Sequence, residues 1–265
     1  MKTIIKLSRP FVLGHTIIIS SMYCMIANYP FNKTIFAILS LVSIHASAQI
    51  TNLIKDVEID AINKPWRPLV TGELKRKVAC IFDAIMVILA YTFAYLVSDW
   101  FFNMLFVLTF FAWGFTLLPV RKNAFTHVFW MGITRGFLPA YMIAQNVYIA
   151  LLMFTWNFAF NPSKDYKDVY GDLRFGIKTI INQYGEEILK IWMYVFGFTF
   201  YFNLSIMVVS EILSYRSLIL LFTSPIAYAI PNTLRERPAF SDNNLAYDLY
   251  WFGFTLNAVF LAISI

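Results

Sequence analysis

The stretch TIFAILSLVSIHASAQITNLIKDVEID, residues 34–60, opens as an apolar run and closes on acids. A helix crossing a bilayer takes about 20 apolar residues, and 34–51 supplies nearly that many before Asn52. From there Asn52, Asp56 and Asp60 recur at four-residue intervals, a spacing that holds all three side chains on one face of a helix. Gln49 and His45 carry the line backward, so one polar stripe is expected to descend from a membrane face into the bilayer. Polar side chains at that depth are costly unless they line protein or a water-filled space, which makes the stripe a candidate site.

Around this stretch the chain repeats its apolar character. Of 265 residues 59% are hydrophobic and only 14% charged, against about 25% charged in soluble domains. Runs of spanning length occur near 10–28, 34–51, 78–97, 100–119, 124–143, 146–161, 187–210, 216–231 and 246–265. The expectation is an all-α, polytopic membrane protein: about nine transmembrane helices around a central cavity opening to the cytoplasmic side, with residues 1–265 forming a single domain. Spans on that scale leave no room for a large soluble domain or a long linker. The N-terminal run has no small-residue cleavage site and reads as a retained first span. Cys24 and Cys80 lie in apolar runs without a CxxC and read as inert buried thiols.

The net charge of +6 is a matter of topology before it is a matter of partners, and no nucleic acid is implied. With the N-terminus in the cytoplasm, Lys33 and Arg216 fall on the far side and Arg135 within the fifth run; every other Lys and Arg lies on the near side. That asymmetry is the positive-inside pattern. The two longest connections, about 52–77 and 162–186, share the basic side, and loops of that length in a compact protein usually carry function.

The second of these connections begins like the first. Asn157 and Asn161 lead to Asp165, Asp168 and Asp172, again reading as one polar face. Acids at a cytoplasmic helix C-terminus oppose the helix dipole, so stability alone does not explain them. Closely spaced carboxylates repel one another unless cations sit between them, and oxygen-only ligation suits Mg²⁺ better than zinc. Lys55, Lys64, Arg67, Arg121, Lys122, Lys164, Lys167 and Arg174 stand nearby and could grip phosphate oxygens. Acids for metal and bases for phosphate imply a diphosphate, and the apolar helices beneath imply that it carries a hydrocarbon chain. Aromatic residues, 18% of the chain, suit such a cavity.

NLIKDVEIDAINKPWRPLVTG together with KDYKDVYGDLRFGIKT resembles the two signature motifs of the UbiA superfamily of intramembrane prenyltransferases. The likeness includes Asn63, Lys64, Pro65, Arg67 and Pro68 after the first motif, and Gly171 within the second. It implies Mg²⁺-dependent transfer of a prenyl group from an isoprenyl diphosphate to a lipid-soluble or amphipathic acceptor at a multi-pass site in a prokaryotic cell membrane. It further implies that Asn52, Asp56 and Asp60 hold one Mg²⁺, and Asp165, Asp168 and Asp172 another. Lys64, Arg67, Arg121, Lys122 and Lys164 are then the expected diphosphate contacts. Leu53 stands where many members have a second acid, and Phe115 where a Tyr is expected before Arg121. The motifs resemble homogentisate prenyltransferases, the archaeal geranylgeranylglyceryl phosphate branch and terpene cyclases of the same fold alike. The acceptor stays open among an aromatic acid, a quinone precursor and a glycerol phosphate lipid.

Arg135 is the most informative residue outside the motifs. An arginine mid-membrane should face a cavity or an acid, and here it could bind an acceptor's carboxylate or phosphate. His45 offers a second acceptor contact or a base, against the blander reading of a satisfied interior histidine. His15 and His127 carry no pattern, and Asp83 is expected to pair with a loop cation. Two other classes compete. A secondary transporter would place its acids near the membrane midplane instead of at helix ends, and a terpene cyclase would need no acceptor.

Overall fold

The computed structural model describes residues 9–235 and 243–265; Lys2, Lys6 and Arg237, assigned above to the basic side, lie outside the described residues. Among the described residues every regular element is helical, with no strand. Among these residues five helices are long and apolar enough to cross a membrane: α2 (Phe31–Lys55), α4 (Arg76–Val97), α5 (Asp99–Leu117), α10 (Ile180–Val209) and α12 (Leu245–Ser264). α1 (Pro10–Ile26) is shorter and also apolar. The other apolar runs are interrupted or short. The run expected at 124–143 is α6 (Ala124–Gly132) and α7 (Leu138–Ala144), joined by a π turn at Ile133–Phe137. The run at 146–161 is α8 (Val147–Phe160), and that at 216–231 is a 3₁₀ segment, Tyr215–Thr223, followed by α11 (Ser224–Asn232).

Local chemistry explains the ends. Ser98 alone separates α4 from α5, and its hydroxyl accepts from the Phe101 N–H. Gln145, in the left-handed region at φ 49°, ends α7, and the Asn146 side chain caps α8 by accepting from Tyr148 and Ile149. The Thr179–Asn182 capping box starts only the first turn of α10, which breaks at Gly185 (φ 86°, ψ 174°); the long stretch after the break matches the run read at 187–210.

α2 and α4 form the most extensive pairing. Ala79, Ala90 and Ala94 are fully buried on α4, and small residues let helices approach closely enough for polar contacts. Ser40 Oγ donates to the Ala90 carbonyl at 2.9 Å, and Ser47 and Thr51 donate to Asp83 at 2.6 and 2.8 Å. Asp83 is thus satisfied by hydroxyls across this interface and has no cation partner among the described residues. Cys24 is buried as expected, but Cys80 is exposed on α4's outward face. The last helix, α12, packs on the first, α1, where His15 Nδ1 lies 2.6 Å from Thr255 Oγ1.

Candidate active site

The first acid motif spans a break. α2 ends at Lys55, Asp56 sits at φ −97°, ψ 20°, and the short helix α3 (Val57–Asn63) follows. The backbone chain of bonds nevertheless continues: Asp56 N–H to Asn52 O, Asp60 N–H to Asp56 O and Lys64 N–H to Asp60 O, at 2.7–2.9 Å. Asn52, Asp56, Asp60 and Lys64 therefore keep one face and line one cavity of about 80 Å³. Asp165, Asp168 and Asp172 line it from the other side, from the 3₁₀ segment Asn161–Lys167 and the short helix α9 (Val169–Arg174).

Asn63 joins the two halves. Its Nδ2 donates to the Asp168 carbonyl at 3.0 Å and its Oδ1 accepts from the Gly171 N–H at 2.9 Å. Any Cβ at position 171 would sit 2.5 Å from Asn63 Nδ2, so the clasp requires glycine there. The polar line expected to run from Asn157 through Asn161 to Asp165 does not hold. The chain tightens to 3₁₀ at Asn161, which turns about 120° per residue instead of about 100° and rotates the asparagines away from the acids. Asn157 and Asn161 bond instead to the Tyr250 hydroxyl, stitching α8 to α12.

Each acid but one is held by a base. Arg121 binds Asp56 through both guanidinium N–H groups at 2.7 and 2.8 Å, Arg67 binds Asp60 at 2.5 Å and Lys64 binds Asp168 at 2.5 Å. Lys164 pairs with Asp165 and lies 3.1 Å from His127 Nε2. Among the described residues Asp172 has no ion-pair partner; burial and the neighbouring Asp165 and Asp168 push its carboxyl well above the usual carboxylate range. Burial also acts on Asp168, but Lys64 and Lys167 outweigh it and hold that carboxyl below the usual range.

The donors are hard oxygens from five carboxylates and the Asn52 amide, a set suited to Mg²⁺. As the side chains stand, no three of His, Cys, Asp and Glu among the described residues close on a common point, because the acids face their bases. Lys64, Arg67, Arg121 and Lys164 line the cavity. Lys122 and Lys55 do not; both are exposed and face a separate outer cleft, and Arg174 is exposed on α9. Arg9 and His127 also line the cavity. The sequence held no spacing signal for either. Phe115 puts a ring face 5.8 Å from both Arg121 and Lys164, where a phenol was expected.

A second cavity of about 60 Å³ adjoins the first, with Asn52, Phe115, Met131 and Arg135 facing both. His45 and Gln49 line it beside the apolar Val12, Ala112 and Trp251. Arg135 lies in the π turn, donates to the Tyr247 hydroxyl at 2.8 Å and stands 5.5 Å from the Trp251 ring. It has no acid partner among the described residues. His45 Nδ1 meets Thr16 Oγ1 at 3.1 Å, and its buried Nε2 has no hydrogen-bond partner.

Known proteins resemble this chain. A digeranylgeranylglyceryl phosphate synthase of Thermococcus onnurineus is 28% identical over 196 residues, 71% of each chain. That of Pyrococcus furiosus is 32% identical over 155 residues, 54% of this chain and 53% of its own. A solved UbiA homologue from Archaeoglobus fulgidus bound to GPP and Mg²⁺ has the same fold, with a TM-score of 0.76 at 17% identity over 99% of this chain and 100% of that one. The model of the UbiA prenyltransferase family matches residues 16–263, a span holding both acid-bearing loops and the clasp between them, and the chain belongs to that family.

Proposed function

We propose that the chain transfers a prenyl group from an isoprenyl diphosphate to an amphipathic acceptor, in a single intramembrane unit of nine spans whose catalytic cavity opens to the cytoplasmic side of a prokaryotic cell membrane. The observation that carries this reading is the convergence of two distant acid-bearing loops and four bases, of which Lys64 and Arg67 are buried, on one cavity. A second chamber bearing Arg135 and His45 adjoins it. Asn52, Asp56 and Asp60 on one side, and Asp165, Asp168 and Asp172 on the other, would hold Mg²⁺. The metal, when bound, would neutralise charge on the departing diphosphate.

Lys64, Arg67, Arg121 and Lys164 would turn from the acids to the phosphate oxygens. As the C1–O bond of the prenyl diphosphate breaks, its electron pair leaves with the diphosphate, and these bases stabilise that charge. The Phe115 ring, flanking the cavity, offers its face to a cation at C1. Arg135 would bind an anionic acceptor head and His45 Nε2 would contact the same head. The relatives' name supports a glycerol phosphate lipid as that acceptor.

The test is release of diphosphate from radiolabelled prenyl diphosphate by the purified chain, with and without a lipid extract. We expect Mg²⁺-dependent release that requires the extract and yields a heavier labelled lipid. Asp56→Ala and Asp168→Ala should each lower the rate by about 100-fold or more. Release without any acceptor would instead make the chain a cyclase, and transport of the label without bond cleavage would sink the reading.

A further inference from the structure

The Arg121–Asp56 pair is a wall with space on both sides. Behind it, away from the inner cavity, lies a cleft of about 590 Å³ between the α2–α3 junction, the end of α5 with the 3₁₀ turn Pro119–Lys122, and the turn at Phe175–Ile177. Asp56, Ile59, Arg121 and Ile177 face both spaces. The two differ in access to water. In the inner cavity Lys64, Arg67 and Asp165 are only 4%, 5% and 2% exposed, whereas Lys55, Arg76 and Lys122 of the outer cleft are exposed. The cleft is also cationic, because Glu58 alone stands against those three while Asp56 is already matched by Arg121.

We propose that this cleft is the release path for inorganic diphosphate, with the Arg121–Asp56 pair as its door; the inference rests on the prenyl-transfer reading above. The reaction divides an amphiphile into parts that need different solvents. The prenylated product belongs to the bilayer, but free diphosphate is soluble only in water and needs an aqueous way out. Arg121 is the cation that lines both spaces. Its backbone is fixed, since its carbonyl accepts from the Lys178 N–H at 2.8 Å. Only the side chain has to swing to carry the anion across. Beyond it the exposed Lys55, Arg76 and Lys122 draw an anion outward, yet solvated charges interact weakly enough to let it go. Lys122, read from the sequence as a catalytic-cavity contact, thereby acquires a role at the exit.

The experiment is a single turnover with enzyme in excess, in detergent at low salt. It follows prenyl transfer and the appearance of diphosphate in solution separately, for the wild type and for Lys55→Glu/Arg76→Glu. Both substituted residues are exposed and lie outside the catalytic cavity. The expected result is transfer within about twofold of wild type and diphosphate appearing about fivefold or more later, a gap that narrows as salt screens the reversed charges. Lys122→Glu alone should delay release in the same direction. Release that keeps pace with transfer in these variants would overturn the exit. Transfer that itself slows at subsaturating prenyl diphosphate, with release in step, would make the cleft an entrance and overturn it equally. A wild type that transfers nothing would instead defeat the underlying reading.

Discussion

Arg135 lies in a turn with a wider hydrogen-bond span than the helices around it: the Leu138 N–H reaches back to the Ile133 carbonyl, and Pro139 follows with no N–H to give. The π turn places the guanidinium where both cavities meet, held by a phenol and an indole face in place of a carboxylate. A half-buried cation without a carboxylate partner among the described residues is left to meet a ligand's charge. Arg135→Met should raise the acceptor KM by about 10- to 100-fold, the worth of hydrogen bonds to a charged group. Binding of prenyl diphosphate, measured directly, should move little, and Arg135→Lys should restore part of the loss. Its exposure to a cavity was legible in the sequence, because an arginine in an apolar run has few other places to go. The identity of its partners was not, since Tyr247 and Trp251 come from the far end of the chain and bear no spacing relation to it. His127 was illegible for the same reason: one histidine in an apolar segment looks alike whether it meets lipid or Lys164.

At the scale of elements, the acids were readable because a four-residue spacing survives a helix break when the backbone bonds continue through it, as at Asp56. The asparagines before Asp165 were misread because a 3₁₀ segment has a different period, and nothing in NPSKDYK announces it beyond Pro162. The Asn63–Gly171 clasp ties α3 to α9. In Gly171→Ala the methyl group meets the amide of Asn63, which has to move. Overpacking of this kind costs about 1–3 kcal/mol. Thermal unfolding should register that cost, and activity should fall further than the stability loss explains, because the two acid-bearing loops come apart together. Gly136→Ala makes a different test. Its Cβ would lie 2.5 Å from the Met153 carbonyl oxygen, backbone that cannot turn aside. We expect it to separate α8 from the π turn, lower thermal stability and shift the emission of Trp251 beside Arg135.

For the whole molecule, the long apolar helices were legible because bilayer thickness fixes their length, while the positive-inside pattern makes a prediction about their direction. The short connections, Ser98 alone and Gln145–Asn146, leave little chain on one side. A reporter inserted at Asn28–Pro30 should read as outside the cytoplasm and one inserted at Thr71–Gly72 as inside; the opposite pattern would reverse the topology. The four acid–base pairs bear on how this site fills. A divalent cation arriving alone must leave Arg121 or Lys64 stranded, and a diphosphate arriving alone must strand a carboxylate, each in buried surroundings where lone charge is costly. Both arriving together merely exchange partners. At rest the cavity is an ion exchanger loaded with its own counter-charges, so cation and anion should each bind poorly by themselves and raise the other's affinity by the same factor.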